Sequence, residues 1–116
     1  MKKILIIDDD PIIQKYLASL LKDNGYATEV AQNAKEALDL VNLHSFDLIT
    51  LDLEMPGEWG TRLFARLAQD KVNKNIPVIV ISGMSENDYA IPKAIASLTK
   101  PFDQKELLKI IRDVFK

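Results

Sequence analysis

The chain has 116 residues, enough to bury one core and too few for two, so residues 1–116 are read as a single domain. Hydrophobic residues at 47% and charged residues at 28% exclude disordered and fibrous classes, and a net charge of −2 with scattered Lys and Arg argues against direct nucleic-acid binding. The absence of cysteine excludes disulfides, thiolate metal sites and thiol catalysis, and suits a reducing cytoplasm, where the protein is expected to reside.

The basic start Met1-Lys2-Lys3 leads into an apolar run at 4–7 that Asp8-Asp9-Asp10 cuts short, so neither a signal peptide nor a membrane span is expected. Asp10-Pro11 offers an N-cap followed by proline in the first helical position. The helix it opens repeats Ile13, Leu17, Leu20 and Leu21 on one face and should stop near Asn24-Gly25. Residues 27–31 alternate in polarity, as an edge strand does. Asn33 with Glu36 has capping-box spacing and should open a second helix. The apolar runs 46–51, 76–81 and 95–98 read, like 4–7, as covered parallel strands. A third helix is expected over 61–72. A fourth, between 85 and 94, is shortened or irregular because Pro92 interrupts it. Asp103 with Glu106 should open a fifth helix carrying Leu107, Leu108, Ile111 and Val114. Five strand and helix pairs in succession imply an α/β doubly wound (βα)5 parallel sheet.

In such a sheet, ligands bind beyond the carboxyl ends of the strands. Strand one ends at Asp8-Asp9, strand three at Asp52, strand four at Ser82 and strand five at Lys100-Pro101. Three carboxylates, a hydroxyl and an ammonium therefore converge on one rim. Carboxylate oxygens suit Mg2+, which takes one or two of them beside phosphate oxygens and water. Phosphoryl transfer spreads negative charge over three oxygens, a need that Mg2+, Lys100 and the Ser82 hydroxyl would meet. The carboxylate flanked by the others, Asp52, is the candidate nucleophile.

At this point the chain resembles the bacterial response-regulator receiver family. The resemblance is carried by residues 3–11, by Asp52-Leu53-Glu54-Met55-Pro56 with Gly60, by Val80-Ile81-Ser82-Gly83 and by Lys100-Pro101-Phe102. It implies a strand order of 2-1-3-4-5, Asp8 and Asp9 as the acidic pair holding Mg2+, Asp52 as phosphoacceptor, and the Glu54 backbone carbonyl in the metal shell. It further implies Ser82 as the phosphoryl-sensing hydroxyl, Lys100 as the phosphoryl-pairing lysine, and a cis Lys100-Pro101 bond. The implied partners are a histidine kinase or phosphotransfer protein as donor and a downstream protein effector of unknown identity. The domain itself would be a signalling phosphoacceptor that promotes its own phosphorylation and dephosphorylation.

Three positions and one spacing depart from the family pattern. Ser97 stands three before Lys100, where Tyr or Phe is common, which puts an aromatic switch relay in doubt. Ser82 and Lys100 are 18 positions apart, about one helical turn fewer than is usual. Trp59 precedes Gly60 where Asp is common, and Met84 follows Ser82 by two, where an apolar residue suggests slow hydrolysis. His44, the one histidine, falls where the second helix should end and reads as a helix-terminus residue. Two rival readings remain. One is a non-phosphorylated docking module of receiver fold, against which the intact acid, hydroxyl and lysine set argues. The other is an aspartyl-phosphate phosphohydrolase, which needs its nucleophile on strand one and a longer chain.

Overall fold

A computed structural model of the chain describes residues 1–52, 75–83 and 95–116. Five parallel strands, β1 (Lys3–Ile7), β2 (Ala27–Ala31), β3 (Leu48–Leu51), β4 (Val78–Ser82) and β5 (Ala96–Thr99), form one sheet in the order β2-β1-β3-β4-β5. Three described helices pack on it: α1 (Pro11–Asp23), α2 (Ala34–Leu43) and α3 (Gln104–Val114), the last being the fifth helix of the sequence reading. The helices expected over 61–72 and 85–94 lie outside the described residues.

The sheet separates two apolar cores. Successive residues of a strand point to opposite faces, so Leu5 and Ile7 join the core under α2, with Ala37 and Val41, while Ile4 and Ile6 join the core under α1 and α3, with Leu17, Leu21, Leu107 and Ile111. This explains why β1 is an unbroken apolar run: both of its faces are covered. The alternating segment becomes edge strand β2, as expected. At the other edge, β5 is less covered than its apolar run suggests. Leu98 alone of its residues is buried, Ala96 and Ser97 are half-buried, and Ile95 precedes the strand and stays 47% exposed.

The helix starts follow the capping residues. Asp10 accepts from the Ile12 N–H at 2.9 Å with Pro11 opening α1. The chain leaves that helix through Asn24 and Gly25, whose φ of +91° is a backbone shape that favours glycine. Asn33 caps α2 through the Glu36 N–H at 2.8 Å, but the returning Glu36 carboxylate goes to the backbone and side chain of Gln32, one residue short of the expected reciprocal box. Asp103 caps α3 through the Lys105 N–H. Among the described residues, no helix is long and apolar enough to cross a membrane.

Candidate functional site

The carboxyl ends of β1, β3, β4 and β5 meet at one rim because ladder bonds continue just past the strands. Asp8 donates its N–H to the Ala31 carbonyl at 3.1 Å and Asp52 donates to the Ile7 carbonyl at 2.9 Å, which seats the two acids side by side. Lys100 donates its N–H to the Ser82 carbonyl at 2.9 Å, so the turn after β5 is tied to the end of β4. The Lys100-Pro101 peptide bond is cis, as the resemblance implied.

Asp8 and Asp52 are buried, at 2% and 4% exposure, and Ser82 is fully buried, whereas Asp9 faces solvent. One carboxylate oxygen from each of Asp8, Asp9 and Asp52 falls within 4.8 Å of the other two. Lys100 lies over this cluster, with Nζ 2.8 Å from Asp8 Oδ2 and 3.6 Å from Asp52 Oδ2. Buried carboxylates of like charge repel one another, and a cation among them offsets that repulsion. The same pairing acts on the lysine. Burial pulls its ammonium toward neutrality, but the hydrogen bond and charge of Asp8, reinforced by Asp52, outweigh burial and hold its pKa above the ordinary lysine value.

The structure thus brings together Asp8, Asp9, Asp52 and Lys100, and places Ser82 as the last residue of β4 beside them. Glu54, Trp59 and Met84 fall outside the described residues. Ser97 sits on β5 opposite Val80. His44 caps the end of α2, with Nε2 3.9 Å from Glu29 Oε2 and its ring edge-on to Phe46. That places it where the helix-terminus reading put it.

Sequence reasoning missed Gln14. Its side-chain amide donates to the Asp8 backbone carbonyl, tying the first turn of α1 to the acidic loop. Its place one turn inside a helix that begins at the rim was the available signal.

The comparisons with known proteins agree with this geometry. The profile of the family described as "Response regulator receiver domain" matches residues 4–112. Among curated proteins, the chain is 30% identical to the chemotaxis protein CheY of Pseudomonas aeruginosa, covering 97% of this chain and 95% of that one. It is also 30% identical to Protein Rrf1 of Nitratidesulfovibrio vulgaris, covering 94% of this chain and 79% of Rrf1. Against the phosphate regulon transcriptional regulatory protein PhoB of P. aeruginosa the identity is 34% over 99% of this chain, which spans about half (52%) of PhoB. Among solved structures, the response regulator protein TrrA of Thermotoga maritima, in complex with Mg(2+)-BeF, superposes with a TM-score of 0.89 at 31% identity, covering 98% of this chain and 99% of TrrA. With a matching strand order and a family match over nearly its whole length, the chain belongs to the response regulator receiver domain family of two-component systems, and Asp8, Asp9 and Asp52 form its acidic pocket.

Proposed function

We propose that this receiver accepts a phosphoryl group on Asp52 and thereby switches a protein-interaction surface. The observation that carries the reading is the placement of Asp52. Its carboxylate is buried at the end of the central strand, flanked by two further acids and faced by an ammonium. A loop acid kept for solubility would lie in water, since Asp is almost never fully buried unless paired.

The donor set fits Mg2+. Three hard carboxylate oxygens gather within 4.8 Å of one another, and exposed Asp9 leaves the cluster open to water on one side. Asp8, Asp9 and Asp52 would hold the ion, with the Glu54 backbone carbonyl as a further ligand. When bound, the ion supplies positive charge to the phosphoryl oxygens. In the transfer, an Asp52 oxygen attacks phosphorus. The bond from phosphorus to its donor breaks, and the leaving group departs with the electron pair of that bond. Lys100 and the Ser82 hydroxyl take up the charge on the equatorial oxygens. The donor is a histidine kinase, a phosphotransfer protein or a small phosphodonor, and water later hydrolyses the acyl phosphate. Support for a phosphoryl-type occupant comes from TrrA, whose structure carries Mg(2+)-BeF on the same fold.

Intact-protein mass spectrometry with acetyl phosphate and Mg2+ tests the reading. A gain of about 80 Da in the wild type and none in Asp52→Asn is the expected result for a carboxylate nucleophile. No gain in the wild type, with beryllofluoride also failing to bind, would leave a docking module of receiver fold.

A further inference from the structure

Asp8 and Asp9 adjoin in the chain but are held differently. The N–H of Asp8 donates to the Ala31 carbonyl, its Oδ1 accepts from the Asp10 N–H at 2.9 Å, and its Oδ2 accepts from Lys100 Nζ at 2.8 Å. Asp9 faces solvent, so its carboxylate stands where its backbone puts it. The peptide group between the two acids therefore decides how Asp9 joins the cluster. That group is planar, so the direction of the Asp8 carbonyl also fixes the direction of the Asp9 Cα. Gln14 holds this carbonyl. Its side-chain amide donates to the Asp8 oxygen from the first turn of α1, where Gln14 is half-buried and its own N–H donates to the Asp10 carbonyl at 3.0 Å. A backbone carbonyl can only accept, so the donating NH2 end of the amide is the part that serves.

We propose, resting on the reading of the acid cluster as an Mg2+ site, that Gln14 is a positioning residue for the metal: by pinning the peptide between Asp8 and Asp9 it keeps the exposed acid in place for the cation. Mg2+ demands oxygen contacts of about 2.0–2.1 Å in near-octahedral geometry, so an acid free to swing contributes less to its binding. Ordering that acid beforehand removes an entropic cost from the binding step. Groups that orient metal ligands from outside the ligand shell typically change metal affinity by about 10–100-fold when they are removed. Gln14 acts through the Asp9 carboxylate, not by touching the ion. Without it, the Asp8 carbonyl can turn toward water, which satisfies its hydrogen bonding but leaves the acid pair loosely set.

Calorimetric titration of the 116-residue chain with MgCl2 tests this in the wild type, Gln14→Met, Gln14→Ala, Asn33→Ala and Asp9→Asn. Both Gln14 variants lose the donor, keep the net charge and favour a helix about as well as glutamine or better. Two are used so that one folded variant suffices. Each should bind Mg2+ about ten-fold more weakly, the lower end for groups outside the ligand shell. Asn33→Ala removes the cap of α2 and lowers stability, yet should bind Mg2+ as the wild type does, which separates positioning from a general loosening of the fold. Asp9→Asn should bind more weakly. In metal-free protein, the amide 15N signal of Asp9, the nitrogen joined to the Asp8 carbonyl carbon, should shift in the Gln14 variants. Mg2+ binding that depends on Asp9 but weakens by less than about three-fold in the Gln14 variants, or no more than in Asn33→Ala, would overturn the positioning role and leave the metal site standing. An Asp9 signal that stays in place would do the same. Wild-type binding that is absent, or indifferent to Asp9→Asn, would overturn both.

Discussion

Thr50→Val should make this protein more stable. Thr50 lies on β3, two residues before Asp52, paired in register with Ile6 on β1 and Ile79 on β4. It is 1% exposed, and its hydroxyl has no hydrogen-bond partner. Leaving a buried hydroxyl unpaired costs about 1–3 kcal/mol, because the water it gave up is not replaced. Valine has the same branched shape, so the change opens no cavity, and its added methyl sits between two isoleucines. Taking the lower part of the penalty range, because threonine's hydroxyl can rotate toward the least unfavourable direction, we expect a gain of about 1–2 kcal/mol. For a domain of this size that corresponds to a Tm roughly 4–8 °C higher. Urea unfolding followed by circular dichroism is the direct assay, with the midpoint rising and the slope unchanged. A Thr50→Val protein that is equally or less stable than wild type would refute the reasoning, since it would mean that the hydroxyl makes a bond worth keeping.

Two further outcomes follow from the same structure. Asp10→Ala removes the side-chain cap of α1 and should cost about 1 kcal/mol in thermal or urea unfolding. The Asp10 backbone N–H that holds Asp8 Oδ1 is retained in that variant, so Mg2+ binding in calorimetry should change little. The second outcome concerns alkaline pH. The folded-state pKa of Lys100 lies above its unfolded value, so its charge supports folding fully below the ordinary lysine range. That support is lost as pH rises through the elevated folded-state value. Unfolding measured across the alkaline range without divalent cations should therefore show a wild-type decline that Lys100→Met lacks, the two curves converging at the highest pH. Parallel curves would count against the pairing.

Much of the fold was legible along the chain because its signals are local. Asp10-Pro11, Asn33 and Asp103 start helices through bonds to residues two or three positions on, and those bonds are present. The run at 4–7 announced a strand covered on both faces, and the alternation at 27–31 announced an edge. The rim was legible as well, since a parallel sheet brings the residues after each strand to the same side, and Asp8, Asp52, Ser82 and Lys100 each follow or end a strand. The family resemblance supplied the strand order that local patterns do not carry.

What remained for the tertiary structure was the choice among partners. Nothing near Lys100 in sequence says that its ammonium rests on Asp8, 92 positions away, more closely than on Asp52. Glu36 reaches Gln32 where the capping spacing pointed to Asn33, and Gln14 finds a carbonyl that only the packing of α1 against the end of β1 brings within reach. Thr50 reads as an ordinary strand residue, and its unpaired hydroxyl appears only once neighbouring strands close around it. The physical reason is common to all four. Periodicity and capping depend on residues within a turn or a strand of one another, so the sequence by itself determined the elements and the composition of the rim. Side-chain pairing depends on differences of an ångström or less between competing acceptors, and strand register and helix packing decide those distances.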